Sequence, residues 1–258
     1  RLGFAPTRRF VFSKEDALKY KQLIREKMES FGLGLEIVDL EGINEEGLLH
    51  ERLEEPAIIK RFREAEVDAL FFPHCNFGTE DIVARVAKAI GKPVLLWGPR
   101  DEAPLEDGMR LRDTQCGIFA TGKVLRRFNV KFTYITNCTV DSPVFERGFK
   151  NFIAAANVVK QFNNLRILQI STRPSDFWSV ICNEGELLET FGIQIHPITL
   201  DELKKVTLKI EKTDSPELDE AIGYIKEKLD WSAVTEQDVR RIASLKVAMK
   251  QLAAETRS

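Results

Sequence analysis

Pro73-His74-Cys75-Asn76-Phe77-Gly78-Thr79-Glu80 stand between an apolar run, residues 67–72, and an amphipathic stretch, residues 81–90. The run reads as a strand and the stretch as a helix, which makes the eight residues a strand-to-helix loop. In open parallel sheets, ligands bind in the crevice at the carboxyl ends of the strands. Thr79 is placed to cap the helix, and Glu80 and Asp81 suit its positive end. His74, Cys75, Asn76 and Phe77 then remain as a small polar and aromatic surface with no packing role. A plain turn that needs only Gly78 and a cap accounts for the same residues.

Outward from this loop, short apolar runs alternate with helical patterns over most of the chain. Strands at 2–5, 35–40, 67–72, 94–97 and 131–136 are separated by helices at 14–31, 57–66, 81–90 and 113–128. This is a flavodoxin-like set of parallel strands. Ser13 with Asp16 three residues on marks the first helix start. A long helix, 144–162, leads to a second unit with strands at 166–171 and 193–198. Helices at 184–191, 201–208, 216–229 and 235–254 belong to it, and Ser215 before Pro216 is a strong start for one of them. The last carries Val239, Ile242, Leu245, Met249 and Leu252 at helical spacing, a stripe that reads as core-facing. Two strands cannot cover these helices on both faces. The expected architecture is α/β, with two Rossmann- or flavodoxin-like parallel-sheet domains, 1–162 and 163–258. The second reads as incomplete, and a few residues are expected ahead of Arg1.

The formal net charge of −2 over 258 residues gives no electrostatic reason for nucleic acid or an anionic membrane as partner. No run is long enough to span a bilayer, and no signal-like segment opens the chain. Cys75, Cys116, Cys138 and Cys182 form no CxxC pair, which points to reduced thiols, a cytoplasmic setting and no structural zinc.

Four loops follow the strands. In Pro6-Thr7-Arg8-Arg9, either arginine can donate to hydroxyls or an anion, or remain an exposed basic pair. In the second loop His74 has an ordinary pKa near neutrality and can act as acid, base or donor, whereas Cys75 has no base nearby in sequence. The third loop, 172–178, joins Arg173, Ser175 and Asp176 to Phe177 and Trp178, a mixture suited to a polyhydroxylated ligand. Packing aromatics and a helix cap explain the same residues. Asn183 and Glu184 follow at a helix start. In the fourth loop Thr199 caps a helix and His196 reads as structural. The three histidines, at 50, 74 and 196, have no carboxylate partner at metal-site spacing, and HExxH, P-loop, GxGxxG and GxSxG motifs are absent.

In order, Gly3-Phe4-Ala5-Pro6-Thr7-Arg8-Arg9, the Pro73 to Glu80 loop, the long linker helix, the Ser175 to Glu184 loop and Phe191-Gly192-Ile193-Gln194-Ile195-His196-Pro197-Ile198 resemble the N-terminal half of the L-fucose/L-arabinose isomerase family. The resemblance implies a sugar aldose-ketose isomerase, Mn2+-dependent and assembled as a ring of identical subunits. It also implies metal ligands, two carboxylates and a histidine, in a later part of the family's chain, so this portion is expected to hold no metal and to be inactive alone. Arg9, His74, Cys75, Asn76 and Phe77 would face the sugar site of a neighbouring subunit. Ser175, Asp176, Trp178, Asn183 and Glu184 would contact substrate from the second unit. Cys75 stands where some L-fucose isomerases carry tryptophan, which removes a stacking surface. A non-enzymatic sugar-binding α/β module is the alternative that uses the same loops.

Overall fold

Strand residues of the N-terminal unit alternate between two apolar layers, as the two-residue pleat requires. In the computed structural model, which describes residues 1–163 and 165–258, this unit is Arg1–Lys160. It contains β1 (Leu2–Phe4), α1 (Lys14–Ser30), β2 (Ile37–Val38), α2 (Glu55–Glu64), β3 (Ala69–Pro73), α3 (Glu80–Ile90), β4 (Val94–Trp97), α4 (Thr114–Arg127), β5 (Thr133–Tyr134) and most of α5 (Pro143–Phe162). The sheet is parallel with order β2-β1-β3-β4-β5. Leu2, Phe4, Phe71, Leu95 and Trp97 face one layer with α1 and α5. Leu70, Phe72, Val94 and Leu96 face the other with α2, α3 and α4. Trp97 and Phe145 stack at 3.9 Å between centroids and anchor the first layer.

The strand order reverses direction between β1 and β3, because β2 lies on one side of β1 and β3 on the other. This switch point brings together the loops after β1 and β3. The edge strands are shorter than the sequence pattern suggests. The apolar run at 35–40 keeps only two paired residues, as does the run at 131–136, since an edge strand has a single neighbour to pair with.

The second unit, Gln161–Ser258, holds a parallel pair, β6 (Arg166–Ile170) and β7 (Gln194–Ile198), with α6 (Glu184–Phe191), α7 (Leu200–Glu211), α8 (Pro216–Lys228) and α9 (Glu236–Glu255). Thr199 with Glu202 and Thr235 with Asp238 form reciprocal capping boxes. The face that α9 buries differs from the expected stripe. Val239 and Leu252 are buried with Ala243 and Ala248, while Ile242, Leu245 and Met249 stay exposed. Small alanines allow α9 close approach to its neighbours, and the larger side chains fall on the flank. Among the described residues no helix is long and apolar enough to cross a membrane.

Candidate functional site

Thr7 organises the switch point. Its N–H donates to the Pro73 carbonyl at 2.9 Å, and its carbonyl accepts from Cys75 N–H at 3.0 Å. Its hydroxyl donates to the Leu49 carbonyl at 2.9 Å and accepts from Thr79 N–H at 3.0 Å. The Thr79 hydroxyl donates across the crevice to the Arg8 carbonyl at 2.6 Å, so it makes no cap on α3. Here the sequence expectation of a Thr79 cap is corrected: the loop-to-loop bond outcompetes the cap. Gly78 has φ +80°, and a Cβ there would meet the His74 ring at 2.6 Å. Glycine serves both the left-handed turn and the close approach.

His74, Cys75 and Asn76 do not form a surface; all three are fully buried. The His74 Nδ1–H donates weakly to the Phe72 carbonyl at 3.4 Å, and Nε2 accepts from the Thr121 hydroxyl at 2.9 Å. Burial pushes the imidazole down to about 4, so the ring is neutral at physiological pH. Burial pushes the Cys75 thiol up to about 12, which leaves it without nucleophilic character. The Asn76 amide oxygen accepts from Arg9 N–H at 2.8 Å and Gly78 N–H at 3.2 Å, and its amide donates to the Ser13 carbonyl at 3.2 Å. These three residues knit the β1 and β3 loops to α4 and to the start of α1.

What reaches solvent at this end is Arg9 with Phe77. The Arg9 guanidinium lies 4.2 Å from the Phe77 centroid, and Phe77 stacks on Phe12 at 5.5 Å. Glu80 sits 3.7 Å from Arg9. Stacking on Phe77, itself backed by Phe12, restrains the guanidinium plane. Arg8 is consumed instead by Glu46, with Nη2 to Oε1 at 2.9 Å. Burial alone would raise the Glu46 carboxyl, but hydrogen bonds from Arg8 and Lys14 and nearby positive charge bring it down to about 2.

In the second unit, a crevice of about 620 Å³ at the carboxyl end of β6 gathers Ser175 and Glu184 with Thr172 and Arg173. Asn183 caps α6, accepting from Glu186 N–H at 3.2 Å. Trp178 is exposed and donates to the Ser175 carbonyl at 3.0 Å, while Asp176 lies exposed outside this crevice.

The sequence reading missed Arg112, whose side chain is fully buried. Its Nε donates to Glu102 at 2.9 Å, its Nη2 donates to the Arg100 carbonyl at 2.6 Å, and its guanidinium stacks 3.5 Å from the Tyr20 centroid. Tyr20 donates to the same Glu102 at 2.7 Å. Burial and the bond to Glu102 push the Tyr20 hydroxyl up to about 12. No periodicity marks such a residue, because a charged side chain within a polar loop reads as solvated.

Among the described residues, no three His, Cys, Asp or Glu side chains come together in a way that could hold a metal ion. These residues do not fit a Mn2+ centre.

Residues 3–163 match the sequence model of the family described as fucose/sulfoquinovose isomerase, N-terminal domain. The chain belongs to that family. It is 24% identical over 150 residues to the sulfoquinovose isomerases of Priestia aryabhattai and Priestia megaterium, covering 58% of this chain and 33% of each relative. It is 24% identical over 136 residues to the sulfoquinovose isomerase of a Clostridium species, strain MSTE9, covering 52% of this chain and 30% of that one. The matched part of this chain thus spans about a third of the length of the curated relatives.

Proposed function

We propose that this chain is the N-terminal portion of a metal-dependent sugar aldose-ketose isomerase, that it supplies substrate-closing loops and subunit contacts, and that it is inactive by itself. The match of residues 3–163 to the N-terminal domain of fucose/sulfoquinovose isomerases carries the reading. A sulfonated or deoxygenated hexose is the substrate class that the family description names. Arg9 and Phe77 are the accessible polar and aromatic pair at the switch point, with Phe10 and Val11 beside them 83% and 65% exposed. An exposed apolar tip next to a restrained guanidinium suits a loop that closes over a sugar held by a neighbouring copy in a homo-oligomeric ring. In this reading Ser175 and Glu184 contribute hydroxyl contacts from the second unit. Asn76, His74 and Cys75 hold the Arg9 loop in place from within. All four cysteines are free thiols, which supports a reducing, cytoplasmic compartment.

Isomerisation moves a proton between C1 and C2 of the sugar. The one histidine at the switch point is buried and neutral, and in this reading the proton carrier belongs to the rest of the parent protein. Calorimetric titration of Mn2+ into the chain tests this. The expected result is no stoichiometric binding and no ketose formed from any aldose supplied. Tight one-to-one Mn2+ binding, or turnover, would overturn the reading.

A further inference from the structure

The N-terminal unit carries another crevice, about 870 Å³, at the carboxyl ends of β4 and β5. Its frame is fixed before any ligand arrives. Arg100 N–H donates to the Cys138 carbonyl at 2.9 Å, and the Arg100 carbonyl accepts from buried Arg112 at 2.6 Å. Asn137 donates to the Gly98 carbonyl at 2.9 Å and the Thr114 hydroxyl at 3.3 Å. Its amide oxygen has no partner among the described residues. Backbone held in this way loses little entropy when a ligand binds.

The charges on the wall divide into spent and open. Asp101 accepts from Thr114 N–H at 2.9 Å and 3.0 Å, and Glu102 is engaged by Arg112 and Tyr20. Arg100 and Arg110 line the same crevice, are exposed, and make no ion pair among the described residues. Asp113 is the open carboxylate on the wall. The uncommitted charge is therefore positive. Phe119 and Tyr134 add two aromatic faces, 69% and 64% exposed, that no other side chain covers.

We propose that this crevice binds a sulfonated sugar, with Arg100 and Arg110 on the sulfonate and Tyr134 and Phe119 against the ring. The proposal rests on the sugar-isomerase reading and adds the place where the anionic substituent is recognised. A sulfonate offers three acceptor oxygens, and each guanidinium offers a rigid fork of donors. The Asn137 amide oxygen and the Gln115 side chain are then placed for ring hydroxyls, and an aromatic face suits the apolar C–H face of a pyranose. A neutral hexose would leave both arginines uncompensated. The crevice therefore separates sulfonated from neutral sugars.

Calorimetry on the full chain tests this with three titrants: sulfoquinovose, glucose and inorganic sulfate. Sulfoquinovose is expected to bind at least about tenfold more tightly than either of the others, since charged hydrogen bonds and ring stacking act together. The double variant Arg100→Gln/Arg110→Gln loses at least about tenfold in sulfoquinovose affinity while its far-ultraviolet circular dichroism is unchanged, because both side chains are exposed. Tyr134→Ala loses about tenfold for sulfoquinovose and leaves sulfate unaffected. Arg52→Gln, exposed and outside the crevice, changes affinity less than about twofold. Sulfoquinovose binding that survives the double variant, or that falls equally with Arg52→Gln, overturns the proposal and leaves the isomerase reading standing. Sulfate binding as tightly as sulfoquinovose overturns it as well, because the site then recognises an anion and not a sugar. Failure of every sugar to bind overturns this proposal and leaves standing the closing role of the Arg9 loop, which acts on a sugar held by a neighbouring copy.

Discussion

Gly117 of α4 meets the Phe77 main chain so closely that a Cβ at 117 would lie 1.8 Å from the Phe77 carbonyl oxygen. Helix and loop touch backbone to backbone at this point, and the position of Phe77 depends on that contact. Gly117→Ala is expected to destabilise the N-terminal unit by about 3 kcal/mol, at the upper end of overpacking costs. Gly223→Ala, in the middle of α8 with nothing within 4 Å, is expected to stabilise the second unit by about 0.5–1 kcal/mol. Urea denaturation of the two variants checks both signs. A Gly117→Ala protein as stable as wild type would mean that the contact is loose in solution.

His74 gives a pH dependence with a definite direction. The buried ring titrates at about 4, against 6.5 for an exposed one, so between these values the unfolded chain binds more protons than the folded chain. The contribution is complete above about pH 6.5 and is lost as the pH falls toward 4, roughly 3 kcal/mol in all. His74→Gln should flatten that part of the stability profile, whatever its cost at pH 7.5. Denaturation midpoints at pH 7.5 and 4.5 for both proteins provide the comparison; equal slopes would contradict the buried neutral imidazole.

Arg112 is the rivet of the loop between β4 and α4. Replacing it with methionine leaves Glu102 without its ion pair and Tyr20 without its stacked cation. Glu102 is 42% exposed and regains water, so the cost is about 1–2 kcal/mol, chiefly the lost bond to the Arg100 carbonyl and the lost stacking on Tyr20. Amide hydrogen exchange should accelerate in residues 100–112 first. Unchanged protection there would show that the loop is held by its backbone bonds alone.

Thiol reactivity separates the cysteines into two classes. Cys116 and Cys182 are exposed, whereas Cys75 and Cys138 are buried. A colorimetric thiol reagent should titrate two groups in the native protein and four in denaturant. Fast modification of Cys75 in the native state would show that the β3 loop opens.

Periodicity made the alternation of strands and helices legible, because burial on both faces of β3 and β4 demands unbroken apolar runs. The Thr199 and Ser215 caps were legible because capping chemistry is local. The position of the His74 loop at the sheet's carboxyl edge followed from order alone. Its burial did not: His74 and Asn76 look like surface polar residues until the partners that satisfy them, Thr121 and the Arg9 main chain, are brought in from elsewhere in the sequence. The same limit hid Arg112, and it misassigned the face of α9, where Ala243 and Ala248 outrank Ile242 and Met249 as packing residues. Edge strands also read too long, since apolar residues near an edge pack without pairing.

The central claim, a sugar-binding domain that leaves the chemistry to the rest of its parent, is tested most directly by one proton NMR experiment. The chain is mixed with sulfoquinovose and Mn2+ in deuterated buffer, and saturation transfer to the sugar is recorded together with the C2 proton signal. The account predicts transfer from protein to sugar with the C2 proton retained, because in this account the groups that move the proton belong to the rest of the parent protein. Loss of the C2 proton by exchange, or no transfer at all, would contradict it.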